Sequence, residues 1–248
     1  MTNSKTFRLM TYNVHSCIGT DGQLSHNRIA EVIAQFSPDI VALQELDVGK
    51  ARSGRIDQAE AIAQQLKMKF HFHPAIQREE EKYGDAVLSR FPMRLVRSGK
   101  LPTLPQRPRL QPRGALWTTV RVDDTELQVI NTHMGLRRRE RRVQAEAVLG
   151  PEWLADPECR PPVVLCGDFN SLPGGGVIRR LQRKFRDAQR CLHGRRPQKT
   201  FSTVYPVFRI DHVFISPELI VESVQVPRTP LTRVASDHLP LIVQMRLP

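Results

Sequence analysis

Apolar and polar positions change rhythm several times along this chain, and each change predicts an element. Residues 7–14 alternate as a strand with one buried face does. Between Asn27 and Phe36 the apolar residues Ile29, Val32, Ile33 and Phe36 recur at helical spacing, with Asn27 placed to cap the helix. Pro38 and Asp39 stop it, residues 40–43 read as a buried strand, and residues 58–66 return to helical spacing. The pattern then turns strand-rich: 86–88, 95–101, 115–122 and 127–132 are short runs separated by polar or proline-bearing turns. Residues 138–149 form a charged helical stretch, 163–166 a buried strand and 177–185 a helix. Strands at 210–215, 221–226 and 239–245 close the chain.

Helices set between strands, with several direct strand-to-strand connections, predict an α/β protein of two mixed sheets packed face to face with helices outside. The proline-rich stretch 101–112 is the weakest point for a boundary. Strands of the same character lie on both sides of it, so it reads as a surface loop and residues 1–248 as one domain. No internal repeat or low-complexity segment interrupts the pattern.

Composition narrows the partner class. Apolar runs such as 40–43 and 163–166 are far too short to span a bilayer. The first seven residues carry no apolar export signal, and the four cysteines make no C-x-x-C pair, which predicts a cytoplasmic protein with reduced thiols. The formal net charge of +12 predicts attraction to polyanions: nucleic acid, anionic lipid headgroups or phosphorylated small molecules.

Five segments place polar residues directly after an apolar strand, where a rigid strand end opens onto solvent. They are Thr11-Tyr12-Asn13-Val14-His15, Leu43-Gln44-Glu45-Leu46, Ile130-Asn131-Thr132-His133-Met134-Gly135 and Leu165-Cys166-Gly167-Asp168-Phe169-Asn170-Ser171. The fifth is the pair Arg209-Ile210-Asp211-His212 and Ser236-Asp237-His238-Leu239-Pro240. Taken singly, each Asn, Gly or Asp is a common turn residue, Glu45 a common loop carboxylate, and a lone His a structural group. As a set they suit a hard divalent cation such as Mg²⁺ or Mn²⁺, which takes carboxylate oxygens completed by water and substrate phosphate. Glu45 and Asp237, with Asn13 as a neutral oxygen donor, are the expected metal ligands. Asp168, Asp211 and the histidines remain for proton handling. Zinc is disfavoured, because no Cys/His pair has the spacing of a closed site.

These strings resemble, in order from residue 11 to residue 240, the signature motifs of the endonuclease/exonuclease/phosphatase superfamily of metal-dependent phosphoesterases. The resemblance implies a four-layer α/β sandwich and in-line attack of water on phosphorus. It implies a cation held by Asn13 and Glu45 with Asp237 near it. Asp168 would orient or deprotonate the water, and Asn170 and His238 would grip phosphate oxygens. Asp211 would fix and charge His238, and His133 would give a second phosphate contact or a proton. Asp85 stands where the family usually has Asn, and Arg113 at a strand start where an arginine can face the site. Arg137 and Arg141, one helical turn apart, would share a face beside the site.

The charge fits nucleic acid, phospholipid headgroups and inositol phosphates alike. The third motif, Asn-Thr-His, is closer to a bacterial branch than to abasic-site endonucleases, which usually lack that histidine. The reading favours a phosphodiesterase, with DNA or RNA ahead of lipid. The alternatives are a phosphomonoesterase, a phospholipid-headgroup phosphodiesterase and a catalytically silent polyanion-binding module.

Overall fold

The computed structural model describes residues 6–107 and 109–247. In chain order its strands are β1 (Thr6–Asn13), β2 (Ile40–Val48), β3 (Lys69–Arg78), β4 (Glu81–Ser89), β5 (Met93–Lys100) and β6 (Gly114–Val122). They continue with β7 (Thr125–His133), β8 (Val163–Asp168), β9 (Arg186–Asp187), β10 (Asp211–Ile215), β11 (Ile220–Gln225) and β12 (Leu241–Arg246). The helices are α1 (His26–Phe36), α2 (Gln58–Leu66), α3 (Arg138–Val148), α4 (Gly176–Leu181) and α5 (Pro230–Ala235).

One sheet runs β11-β12-β1-β2-β4-β3 and the other β5-β6-β7-β8-β10-β9. In each, one parallel pair, β1 with β2 and β7 with β8, is flanked by antiparallel neighbours. A parallel pair needs a crossover, and α1 and α3 supply it. The period-2 alternation sorts the side chains into layers. Phe7, Leu9, Ile40 and Ala42 point into the core between the sheets, against Leu116, Val129 and Val164. Met10, Tyr12, Val41 and Leu43 point the other way, onto Ile29, Ile33 and Ile62 of α1 and α2. On the far side, Trp117, Ile130 and Leu165 pack against Ala145, Val148 and Ile178 of α3 and α4. The result is the expected four-layer α/β sandwich.

Several boundaries depart from the sequence reading. Ser25, not Asn27, caps α1: it is extended and accepts the Arg28 N–H, so Asn27 lies inside the first turn. The strand β3 is an edge strand whose Phe70 and Phe72 alternate with histidines and Pro74, a pattern too polar to register. The helix predicted at 177–185 ends at Leu181, because the chain must turn into β9. The strands β2, β7 and β8 run past their apolar stretches into polar residues, since ladder hydrogen bonds are indifferent to side-chain polarity.

Cys17, Cys159, Cys166 and Cys191 are free thiols, and burial pushes each of them up, so they are inert packing groups. Among the described residues no helix is long and apolar enough to cross a membrane.

Candidate active site

The carboxyl ends of both parallel pairs meet at one rim of the sandwich. Asn13 ends β1, Glu45 follows Gln44 in β2, and His133 and Asp168 end β7 and β8 as register partners. Because β10 runs antiparallel to β8, its first residue, Asp211, falls opposite Asp168. The connection into β12 then brings His238 onto Asp211. Two backbone devices aim these groups. An extra residue in β2 between Leu43 and Leu46 makes a bulge in which Glu45 takes φ 64°, turning its side chain toward the rim. Gly167 has φ 136°, and a Cβ there would stand 1.8 Å from the Thr132 carbonyl oxygen, so only glycine lets Asp168 leave β8 at this angle.

Asp168 is the centre of the constellation. Its Oδ2 lies 3.1 Å from Asn13 Nδ2, 3.4 Å from His133 Nε2 and 3.8 Å from His238 Nε2. Its Oδ1 accepts the Asn170 N–H at 2.8 Å. Burial raises the Asp168 carboxyl, and Asp211 across the ladder adds to the rise. His238 balances this charge. Its Nδ1–H donates to Asp211 at 2.9 Å. Burial would lower the imidazole, but Asp211, Asp168 and Asp237 outweigh it and raise it to about 10, so His238 is an imidazolium at neutral pH.

His133 has the opposite character. Arg113 donates to its Nδ1 at 3.1 Å, and an acceptor Nδ1 leaves the proton on Nε2. Burial, Arg113 and His238 together hold it well below the ordinary histidine range. His133 is therefore neutral, with an N–H to offer. Asn170 Nδ2 donates to the Met134 carbonyl at 2.9 Å and stands 3.2 Å from His133 Nε2, so that in this tautomer the two are N–H groups side by side and not bonded to each other. Asp85, the residue in the unusual Asn position, is buried beneath this group. Desolvation raises it to about 7 against the opposing pull of Arg113 and a hydrogen bond from the Glu45 backbone.

Asn13 Nδ2 donates to Glu45 Oε1 at 3.0 Å as well as to Asp168, while Asn13 Oδ1 accepts the His15 N–H. The expected oxygen ligand thus turns its nitrogen inward, because two facing carboxylate oxygens require a donor between them. The same convergence of oxygens is what a hard divalent cation demands, and turning the amide over would add a third oxygen. Ligand atoms of Asp168, Asp211 and His238 also lie within 4.8 Å of one another.

Asp237 sits at the rim, 4.0 Å from His15 Nδ1 and 36% exposed, and reaches the centre through its field on His238. Arg137 is exposed at the N-cap of α3, and it does not line the adjoining groove. That groove, of about 750 Å³, is lined instead by Arg138, Arg141, Arg142 and Arg180 beside Asn170 and Leu172. Arg141 folds back on the carbonyls of Gly135 and Leu136 and feels the charge of Asp168. The arginine face toward the site thus belongs to Arg141, since a helix's side chains spread around its axis and the first turn points Arg137 outward.

Three supporting groups escaped the sequence reading as such. Asn131 donates to the carbonyls of Leu43 and Ala86 and accepts from Gln44, tying the two sheets together under the site. Ser236 Oγ donates to the Asn13 carbonyl at 2.8 Å and pins the last motif to β1. His212 donates from Nε2 to the Ser171 carbonyl while Arg209 donates to its Nδ1, holding the turn that carries Asn170. All three lie inside motif strings, and only position in space separates support from chemistry.

Known proteins resemble this chain in sequence or in fold. A protein of Escherichia coli strain K12 named as uncharacterized protein YbhP is 25% identical, covering 99% of this chain and 98% of that protein. A mannosyl-6-phosphatase of Bacteroides thetaiotaomicron superposes with a TM-score of 0.76 at 20% identity, over 96% of this chain and 99% of that one. The human Nocturnin catalytic domain with bound sulfate superposes with a TM-score of 0.74 at 20% identity, over 98% and 95%. The profile of the Endonuclease/Exonuclease/phosphatase family matches residues 10–238, a span containing every side chain of the rim constellation, and the chain belongs to that family.

Proposed function

We propose that the protein hydrolyses a phosphodiester by attack of water on phosphorus, as one catalytic unit. The observation that carries this reading is the meeting of a proton-hungry carboxylate, Asp168, with a charged imidazole, His238, inside 4 Å. A carboxylate raised toward neutrality is matched to accept a proton from water. The His238 imidazolium, held by Asp211, faces the same space and would stabilise charge developing on the phosphoryl oxygens. Neutral His133 and Asn170 offer N–H groups for those oxygens, and Arg113 keeps His133 in its donor tautomer. Glu45 and Asn13, with Asp237 beside them, would hold Mg²⁺ or Mn²⁺, which supplies Lewis-acid polarisation of a phosphoryl oxygen when bound.

The test is turnover of bis-p-nitrophenyl phosphate, plasmid DNA and lysophospholipid with and without EDTA. Hydrolysis that depends on added Mg²⁺ or Mn²⁺ is expected. Metal-independent turnover, or none on any of the three, would overturn the reading. A phosphomonoesterase is the second reading, favoured by the arginine-lined groove next to Asn170, which suits a dianionic phosphate, and by the fold shared with a mannosyl-6-phosphatase. Faster turnover of p-nitrophenyl phosphate than of the diester would select it.

A further inference from the structure

Nine large hydrophobic side chains stand exposed among the described residues, and their placement is uneven. Leu24 lies in the β1–α1 connection, Leu136 between β7 and α3, and Leu172 between β8 and α4. Four more fall within residues 204–208, in the connection entering β10. All seven therefore sit in loops at the carboxyl ends of the parallel strands, on the rim that carries Asp168 and His238. The other two, Leu95 and Ile220, lie in strands. Tyr205 is 80% exposed, Leu136 72% and Val204 59%, far from the treatment a core residue receives.

The 201–208 segment is built onto the catalytic centre. The Phe201 ring lies 4.8 Å from the His238 ring, the Thr203 N–H donates to the Asp237 carbonyl, and Thr203 Oγ1 donates to the Ser236 carbonyl. Between these anchors and β10, Val204 and Tyr205 are left open to solvent. Across the rim, Leu136 and Leu172 border the groove lined by Arg138, Arg141 and Arg142. Exposed apolar side chains on the rim, two of them beside an arginine-lined groove, on a protein of net charge +12, match a surface that is apolar within and anionic outside. A nucleic acid would use the arginines but gains little from the aliphatic Leu136, Leu172 and Val204. A base-stacking platform needs aromatic faces along a groove, whereas the lining of the arginine groove is aliphatic and polar and the exposed Tyr205 and Phe208 lie outside it.

We propose that this rim docks on an anionic lipid surface, so that the phosphodiester presented to Asp168 and His238 belongs to a lipid headgroup. The proposal rests on the phosphoesterase reading for its chemistry but not for its binding, and the two are tested apart. The full chain would be sedimented with vesicles of phosphatidylglycerol and phosphatidylcholine, and with phosphatidylcholine alone, at physiological salt. Binding on the order of tenfold stronger to the anionic vesicles is expected, falling on the order of tenfold in the double variant Val204→Ser/Tyr205→Ser. In a Tyr205→Trp variant, anionic vesicles should shift the emission to the blue, against the constant background of buried Trp117 and Trp153.

Turnover of soluble bis-p-nitrophenyl phosphate by the double variant should equal that of the parent, reporting on the catalytic centre alone. Absence of vesicle binding, binding unchanged by the double variant, or no shift at position 205 would overturn the proposal. So would double-stranded DNA binding that the double variant abolishes, which would assign the rim to nucleic acid. Vesicle binding without turnover of any phosphoester would leave the docking surface standing and remove the catalytic reading.

Discussion

Two histidines of the same rim differ in charge because of one neighbour each. Burial and the Arg113 guanidinium at its Nδ1 oppose a second proton on His133, whereas Asp211 at His238 Nδ1 favours one. The sign of the pH dependence follows. A histidine raised above its unfolded value contributes stability that is fully present below about 6.5, and it loses its charge and that stability as pH rises through about 10. Replacing Asp211→Asn removes the largest source of that rise while burial still acts downward. Activity on bis-p-nitrophenyl phosphate is expected to fall about 10²–10⁴-fold, and the alkaline limb of its pH profile to move toward lower pH. A profile that falls in height without moving would show that Asp211 does not set the charge of His238.

Among the elements, the parallel pairs do the positioning. Ladder register makes His133 and Asp168 neighbours, and makes Asp211 face Asp168 in spite of like charge. Under them, the buried side chain of Asn131 joins β7 to β2 and β4. Asn131→Ala would remove the donor to the Leu43 and Ala86 carbonyls and one of three acceptors of the Gln44 amide, and the expected loss is about 2–4 kcal/mol in urea unfolding. A loss below about 0.5 kcal/mol would mean that the sheets are held by apolar packing alone. The helices were legible in sequence where apolar spacing was clean, as in α2, whose bounds were read correctly. The edge strand β3 was not, because only two of its ten residues are buried and the rest need no apolar pattern.

At the scale of the whole molecule, a basic protein concentrates buried acids at one rim. Asp85, Asp168 and Asp211 are each nearly inaccessible, and burial holds the first two above the usual carboxylate range. An acid raised in the fold costs stability above its unfolded value, a cost complete once pH passes its folded value. A divalent cation held by Glu45 and Asn13 would stand beside Asp168, which shares the Asn13 amide with Glu45, and would relieve that cost only where Asp168 is ionised. Mn²⁺ or Mg²⁺ is therefore expected to raise the thermal midpoint at pH 8 by several degrees and at pH 5 by much less, with EDTA reversing it. An equal shift at both pH values would place the cation away from these carboxylates.

The sequence by itself determined the layered α/β architecture, the polar strand ends and most of the residues of the rim, because periodicity and strand-end chemistry are written locally. Only the tertiary structure decided the state of those residues. Which nitrogen of His133 holds the proton, which way Asn13 turns its amide, and whether Arg137 or Arg141 approaches Asp168 all depend on partners distant in the chain. Exposure was equally hidden: Leu136, Leu172 and Tyr205 read as ordinary apolar letters until the folded rim left them facing outward. Charge and exposure are properties of a residue's surroundings, and surroundings exist only once the chain has folded.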